Sequence, residues 1–213
     1  MEHYIAYEGL LVSLALMQKE YGKDFLRWAN EREGVEGTLQ RPPYTWSNWE
    51  AWVAALDRNK GTEEVFAILL HEPGEKRVYR YVGHTGIHHA RWPEGRGTTG
   101  SIIGDPSARA RGCGTEAKLL LLRHAFLVMG LRKVTSSVKA WNARSLGHLI
   151  KCGYKIVGRY REHTFHEGAF VDEIVLEVFP KDWKPIWEAY RATGQLPKLT
   201  DEQRTLVACE TSV

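Results

Sequence analysis

Alternating apolar and polar positions along the chain predict about seven β-strands. In the first of them, Leu10–Leu16, every second residue is apolar, so one face would be buried. Turn residues separate the next three strands, which favours an antiparallel meander. The other predicted strands are Val65–His71, Val78–His88, Gly97–Gly104, Val134–Ala140, Tyr154–Tyr160 and Phe170–Phe179.

Apolar residues at helical spacing predict helices between these strands. Thr45 or Ser47 is a candidate N-cap for the second helix, and Asn142 for the fourth. The polar stretch after Gly194 is expected to be loosely held. The predicted helices are Glu20–Glu31, Asn48–Leu56, Thr115–Met129, Ala143–Cys152 and Trp183–Thr193. This order of elements favours an α/β (α+β) fold, with a mixed, mostly antiparallel sheet flanked by helices.

Composition narrows the class of protein. The chain has 213 residues with 43% hydrophobic and 26% charged residues, which is typical of a soluble globular protein. A net charge of +3 gives no strong reason to expect nucleic acid, and no apolar run approaches the length of a membrane span. The three cysteines form no metal-binding pattern with the nine histidines, so we expect no metal, reduced thiols and a cytoplasmic location.

One segment carries candidate chemistry, because glycines and arginines lie between a predicted strand and a long predicted helix. Arg109 and Arg111 supply positive charge, and Gly112 and Gly114 let an anion approach the backbone. A helix N-terminus adds N–H donors and a favourable dipole. The segment therefore predicts a pyrophosphate cradle. The alternative is an ordinary loop with two glycines and two solvated arginines.

The pattern Arg109-x-x-Gly112-x-Gly114 resembles the acetyl-CoA signature of the GNAT acetyltransferase superfamily. Asn142–Ser145 and the Gly153-Tyr154 pair resemble the family's second helix and its end. Leu11–Trp52 and the segment from Arg161 to Asp172 resemble the Rim-type branch, which acetylates N-termini of ribosomal proteins. The resemblance covers residues from about 10 to 183. It implies one GNAT domain over residues 1–183, followed by a C-terminal helix and tail over residues 184–213.

The resemblance also implies where acetyl-CoA binds. In the family two strands separate, and the pantetheine arm lies between them. Here those strands are Thr98–Ile103 and Val134–Ala140, with Ile102 and Ile103 offering backbone contacts and the Ile102 region polarising the thioester. Asn142 and Ser145 are expected beside the CoA arm. The expected cradle consists of Arg109, Ala110, Arg111, Gly112, Cys113, Gly114 and Thr115.

The implied reaction is direct transfer of the acetyl group to a primary amine. Asp172 matches an acidic position that can face the acceptor, and Ser136 lies where a hydroxyl could bond the leaving sulfur. Ordinary strand packing is the alternative for Ser136. The sequence departs from the family at Thr98, where many relatives have an acidic base, and at Leu149, where many have a tyrosine acid.

Histidines and tryptophans have two interpretations each. His84, His88 or His89 could receive the amine proton, but a structural histidine is the more common case. Trp49 and Trp52, together with Trp46, could wall an acceptor cleft or pack into the core.

Three hypotheses on function follow. The first is acetylation of a protein N-terminus, as in the Rim-type branch. The second is acetylation of a small amine such as a polyamine, amino sugar or antibiotic. The third is a non-catalytic acyl-CoA-binding module, motivated by Thr98 and Leu149. The chain is expected to be a monomer or a homodimer.

Overall fold

The computed structural model describes residues 2–31, 43–72, 78–166 and 168–211. The chain divides into two compact units. Unit 1 consists of Met1–Ala90 and Gly100–Leu121, and unit 2 consists of Arg91–Thr99 and Leu122–Val213. The Rim-like residue Glu167 and the Arg41-Pro42 part of the resemblance lie outside the described residues.

The strands form a sheet in the order β1-β2-β3-β4-β5-β6-β8-β7. Antiparallel pairing joins β1 with β2, β2 with β3, β3 with β4, β6 with β8 and β7 with β8, whereas β5 and β6 pair in parallel. The mixed, mostly antiparallel α/β fold is thus confirmed, with eight strands described instead of about seven. The strands are β1 Ile5–Glu8, β2 Val12–Leu16, β3 Glu64–Glu72, β4 Val78–Arg91, β5 Arg96–Ile103, β6 Lys133–Lys139, β7 Lys155–His166 and β8 Ala169–Val178.

The additional strand β1 has no alternating apolar pattern, because three of its four residues are exposed. It pairs with β2, whose start at Val12 is later than predicted. Leu10 and Leu11 precede β2 and are 62% and 38% exposed. Their apolar side chains therefore extended the predicted strand beyond the residues that pair.

Six α-helices lie among the described residues. Thr45 caps α2 in a capping box with Asn48, and the Asn142 side chain caps α4, as predicted. A π-helical turn, His124–Val128, extends α3. None of the described helices is long and apolar enough to cross a membrane. The helices are α1 Gly22–Asn30, α2 Trp46–Arg58, α3 Cys113–Arg123, α4 Ala143–Lys151, α5 Pro180–Thr193 and α6 Asp201–Thr211.

The prediction of a loosely held tail is wrong for α6. Val207 of this helix is only 8% exposed and packs near Gly147 of α4. The segment has few apolar residues, so its pattern gave little sign of a helix. The helix forms because its contact with α4 stabilises it, since packing supplies most of the stability of a short helix.

Unit 1 has an aromatic core under its part of the sheet. Trp28 stacks on Tyr81, and Tyr81 stacks on Tyr21, with ring centroids 5.3 and 4.5 Å apart. Aromatic side chains bury large apolar areas, so this cluster fixes α1 and α2 against the strands. The buried members are Ala15, Tyr21, Phe25, Trp28, Ala29, Trp49, Ala67, Leu69 and Tyr81.

Candidate active site

The segment from β5 to α3 forms a tight loop at the N-terminus of a helix. Ala110 and Gly112 have φ angles of 60° and 91°, in the left-handed region. The Glu116 N–H donates to the Gly112 carbonyl at 3.0 Å, so the helix begins at Cys113, two residues before the predicted start. The positive end of the α3 dipole therefore faces this loop and favours an anion.

Arg109 fixes the loop to the end of β5. Its Nε donates to the Ile103 carbonyl at 3.1 Å, and its Nη2 donates to the Gly104 carbonyl at 3.0 Å. The guanidinium is thereby held beside the loop, whereas the Arg111 side chain is exposed. The structure thus brings together Ile103 and the cradle residues within unit 1.

Cys113 lies at the first position of α3 and is 1% exposed. Burial raises the pKa of its thiol, which keeps the sulfur protonated at neutral pH. The side chain is therefore unsuited to act as a nucleophile, and Cys113 fits the cradle through its backbone.

A buried carboxylate anchors the first turn of α3, and the sequence analysis missed it. Glu116 is 0% exposed and accepts hydrogen bonds from the backbone N–H groups of Leu10, Leu11 and Val12 at 2.9, 2.8 and 2.7 Å. A Cβ at Gly9 would lie 2.7 Å from the Glu116 carboxyl carbon, so a glycine is needed there. The contact joins the β1–β2 turn to the helix that begins at the cradle.

A cavity of about 400 Å³ lies in unit 1, beside β5. Strand β5 supplies Gly100, Ser101 and Ile102 to its lining. Strand β4 supplies His84 and His88. The remaining lining residues come from α1, α2 and the segment before α2, and they are mostly aromatic: Phe25, Tyr44, Asn48, Trp49 and Trp52. A volume of this size and an apolar wall with a few polar groups are typical of small-ligand sites.

Trp49 and Trp52 of α2 both pack with the core cluster and line the cavity, the two roles that the sequence left open. Trp49 is 1% exposed and belongs to the core, and its Nε1 donates to the Lys19 carbonyl at 2.9 Å. Trp49 and Trp52 also line the cavity. Trp46 is 45% exposed and is not among the lining residues.

His84 is surrounded by aromatic rings. The Phe25 and Trp52 ring centroids lie 5.7 and 5.3 Å from its own. Burial, followed by the charge of nearby His88, lowers the pKa of His84 to about 4. Its imidazole is therefore neutral at pH 7 and is a poor acceptor for a proton.

His88 has an anionic partner. Its Nδ1 lies 2.5 Å from Oε2 of Glu63, the residue before β3. The other carboxylate oxygen, Oε1, accepts the backbone N–H of His89 at 3.0 Å. Both oxygens of Glu63 are thus engaged, and the His88 ring is held with a defined orientation. His89 itself is 78% exposed at the side chain.

In unit 2, the pairing of β5 with β6 covers only Arg96–Thr98 and Lys133–Thr135. Ser136 follows on β6, and its hydroxyl donates to the Thr99 carbonyl at 2.9 Å. The hydroxyl oxygen retains lone pairs that can accept a further bond. A contact between Ser136 and the leaving sulfur stays a prediction.

Asn142 and Ser145 occur together at the N-terminus of α4. The Asn142 side chain accepts the Ser145 N–H at 2.9 Å. The predicted capping role of Asn142 is confirmed, and the contact of both residues with the CoA arm stays a prediction. Leu149, at the position of the family's tyrosine acid, is 3% exposed.

The Asp172 carboxylate accepts two hydrogen bonds within unit 2. Arg159 Nε donates at 2.6 Å to one oxygen, and the Glu162 N–H donates at 2.8 Å to the other. These two bonds, the arginine first, lower the pKa of Asp172. The carboxylate is therefore a weak base, and its proposed place beside the acceptor stays a prediction.

Other polar groups near the family's catalytic positions have defined partners. The Thr98 hydroxyl lies 3.1 Å from that of Thr135, and the Ser101 hydroxyl lies 2.6 Å from that of Thr85.

Among the described residues, no group of three or more His, Cys, Asp or Glu side chains is placed to hold a metal ion.

Solved structures with the same fold include several acetyltransferases. Spermidine N-acetyltransferase from Vibrio cholerae, in complex with CoA and spermine, is 16% identical, with a TM-score of 0.72 over 82% of this chain and 98% of the other. Mycobacterium smegmatis RimJ, in complex with CoA-disulfide, is 17% identical, with a TM-score of 0.73 over 92% and 95% of the two chains. A GCN5-related N-acetyltransferase from Brucella melitensis is 22% identical, with a TM-score of 0.70 over 96% of each chain.

No protein of curated function matches the sequence. The family model described as an acetyltransferase (GNAT) domain matches residues 13–155, which include the aromatic cavity, the predicted cradle and α4. This match covers most of the chain and agrees with the signature at Arg109–Gly114. The chain therefore belongs to the GNAT family and is an acetyl-CoA-dependent N-acetyltransferase.

Proposed function

We propose that the protein transfers the acetyl group of acetyl-CoA directly to a primary amine bound in the aromatic cavity. One observation carries this proposal: β5 contributes to both the cavity and the cradle. Ile102 lines the cavity, and the carbonyl of the next residue, Ile103, accepts the Arg109 guanidinium of the cradle. A thioester that follows β5 from the cradle would reach the cavity wall.

In this reaction the amine nitrogen attacks the thioester carbonyl carbon, the C–N bond forms and the C–S bond breaks. The acetylated amine and CoA are the products, and the CoA sulfur leaves with one proton. A backbone N–H of β5 near Ile102 or Ile103 would stabilise the negative charge on the carbonyl oxygen. A fixed backbone donor of this kind needs no special side chain.

The lining of the cavity favours an acceptor with an apolar body. None of its described lining residues is an aspartate or glutamate. A polyamine carries several positive charges and would find no carboxylate among these residues, whereas aromatic rings suit an apolar group next to one amine. An N-terminal amine, with a pKa of about 7.7–8.0, is also far more often neutral at pH 7 than an alkyl amine.

A protein N-terminus with an apolar first residue is therefore the best candidate acceptor. A small amine with an apolar body is the second candidate, because about 400 Å³ can hold one such molecule. The similarity to RimJ supports the first, and the similarity to a spermidine acetyltransferase supports small amines as a class.

The test is a steady-state assay of CoA release with three acceptor sets: peptides with apolar or acidic first residues, aryl-alkyl amines, and spermidine. We expect turnover with peptides that begin with an apolar residue, and a higher KM for these in Trp52→Ala. Trp46→Ala is the matched control, because Trp46 is on the same helix but is not among the lining residues. Binding of acetyl-CoA without turnover of any acceptor would favour the non-catalytic module instead.

A further inference from the structure

We infer that His88 is the catalytic group that accepts the proton of the acceptor amine, and that Glu63 is the positioning residue for its imidazole. The inference rests on the proposed function, since it assigns a proton acceptor to the same cavity. His88 would supply the base that many GNAT enzymes have as an acidic residue at the position of Thr98 in this chain.

The geometry of the pair leaves one ring nitrogen available on the cavity side. Nδ1 of His88 faces Glu63 at 2.5 Å. Nε2 lies 3.6 Å from the position that a Cβ would take at Gly100, and Gly100 and His88 both line the cavity. When Nδ1 carries the hydrogen bonded to the carboxylate, Nε2 has a lone pair that can accept a proton.

Glu63 is well suited to hold this tautomer. Its side chain is only 19% exposed, and its second oxygen accepts the His89 N–H, which prevents the carboxylate from turning away. A carboxylate beside the imidazole also stabilises the imidazolium that forms after proton transfer. The arrangement of carboxylate, imidazole and substrate is the general design of a histidine base.

The other titratable groups near the cavity are less suitable. His84 lies on the same strand, but its aromatic surroundings keep its pKa at about 4. His89 faces Glu63 at 3.5 Å, yet its side chain is 78% exposed and is not among the lining residues. Among the described residues, Glu63, His89 and His84 are the charged or titratable groups with a contact or a charge interaction with His88 or its carboxylate partner, and Tyr44 is a further titratable residue in the cavity lining.

The proton balance of the step is complete. An acceptor that arrives as an ammonium ion gives one proton to His88 Nε2 and becomes the neutral nucleophile. His88, whose side chain is 32% exposed, returns that proton to solvent. After attack, the nitrogen loses a second proton as the C–S bond breaks, and this proton ends on the CoA sulfur.

The experiment compares the pH dependence of kcat/KM in the wild type, His88→Gln, Glu63→Gln and the control His89→Asn. Asparagine is chosen at position 89 because it tolerates the φ of 52° found there. We expect His88→Gln to lower kcat about 100-fold or more, the usual range for loss of a general base. Its KM for acetyl-CoA should stay unchanged, and the acidic limb of the profile should disappear.

Glu63→Gln should lower kcat less than His88→Gln does. Glu63→Asp keeps a carboxylate and should therefore have a higher kcat than Glu63→Gln. The acidic limb of Glu63→Gln should differ in position from that of the wild type, because the carboxylate that bonds the His88 imidazole has been removed. His89→Asn should behave as the wild type. Wild-type kcat and an unmoved acidic limb in both His88→Gln and Glu63→Gln would overturn the inference.

If His88→Gln does not fold, as judged by acetyl-CoA binding and circular dichroism, the acidic limb of Glu63→Gln decides alone. A wild-type protein that turns over no acceptor would contradict the proposed function itself. A wild-type protein that is active, with variants that are equally active, would contradict only the role of His88.

Discussion

Gly112 shows how one residue serves the cradle. Its φ of 91° lies in the region that L-residues avoid, and its carbonyl accepts the first hydrogen bond of α3. In the predicted cradle, the absence of a side chain would also let a phosphate approach the helix N-terminus. Backbone conformation and ligand access thus impose the same residue type.

Gly112→Asp should abolish useful binding of acetyl-CoA, because it strains the loop and places an anion where a phosphate is expected. We expect at least a 100-fold weaker affinity, which corresponds to about 2.7 kcal/mol. Gly114→Asp should act in the same way, whereas Arg109→Ala and Arg111→Ala should weaken binding less, since the backbone remains. Calorimetric titration with acetyl-CoA measures each variant.

The matched control is Gly130→Asp. Gly130 also has a positive φ, 66°, and an added Cβ there meets nothing within 4 Å. This variant also places an aspartate at a positive φ and adds the same charge, without touching the cradle. Equal affinity losses in Gly112→Asp and Gly130→Asp would mean that the cradle is assigned to the wrong residues.

His84 should make stability depend on pH. Its folded-state pKa of about 4 lies below the ordinary value of 6.5, so between these values the unfolded chain binds more protons. Stability contributed by neutral His84 is therefore present above pH 6.5 and is lost as pH falls toward 4. The loss is at most about 3 kcal/mol, and smaller to the extent that cavity water solvates the ring.

Urea unfolding of the wild type and His84→Phe between pH 4.5 and 7.5 measures this effect. The difference in unfolding free energy between the two proteins should change across the window, with the variant less sensitive to acid. A difference that stays constant with pH would show that His84 is not buried in its neutral form.

At the scale of elements, a single side chain connects the β1–β2 turn with α3. Glu116 accepts three backbone N–H groups that lie more than a hundred residues earlier in the chain. The carboxylate sits in the first turn of the helix that follows the cradle. Stability of the turn and geometry of the cradle are therefore coupled through this residue.

Glu116→Ala should lower the unfolding free energy by about 2 kcal/mol or more, because a buried N–H without an acceptor, here that of Val12, costs about 1–3 kcal/mol. The partly buried N–H groups of Leu10 and Leu11 lose the same acceptor. Glu50→Ala is the control, since the Glu50 carboxylate is 43% exposed and has a long ion pair with Lys19 at 3.7 Å. Chemical denaturation measures both. Equal stability of the two variants would show that the Glu116 contacts contribute little.

The helix α6 offers a second element-scale prediction. Val207 is 8% exposed and lies near Gly147 of α4, whereas its neighbour Leu206 is 42% exposed. Val207→Asp should reduce stability by at least about 2 kcal/mol, because it buries a charge without a partner. Leu206→Asp should have little effect, and thermal unfolding distinguishes the two. Similar melting temperatures of Val207→Asp and Leu206→Asp would show that α6 does not pack stably, and would favour the loosely held tail that the polar sequence predicts.

For the whole molecule, ligand binding and stability are linked by mass action. Acetyl-CoA that binds the folded chain alone should stabilise it by about 2.7 kcal/mol at a concentration 100-fold above Kd. In a chain of this size that corresponds to a rise in Tm of about 5–10 °C. Thermal shift with and without acetyl-CoA measures it, with Gly112→Asp as the non-binding comparison. A wild-type Tm that does not respond would contradict the cradle.

Local signals in the sequence were sufficient for much of the fold and for the loop at the N-terminus of α3, whose role as a cradle stays a prediction. Thr45 and Asn142 cap helices within three residues of themselves, so their roles follow from neighbouring sequence alone. The Arg109–Gly114 pattern is also contiguous, and it indicated the family before any tertiary contact was known. The extent of the GNAT domain, residues 1–183, and the oligomeric state stay predictions.

Only the tertiary structure decided which residues far apart in the sequence come into contact. Glu63 and His88 are 25 residues apart, and their pairing depends on the register of β3 with β4. Glu116 and Leu11 are 105 residues apart, and neither carries a sequence signal of the contact. Local patterns reflect backbone preferences over a few residues, whereas such pairs form because packing brings distant elements together. For this reason the sequence predicted a cradle for acetyl-CoA, whereas only the tertiary structure revealed the aromatic cavity and the contact of His88 with Glu63.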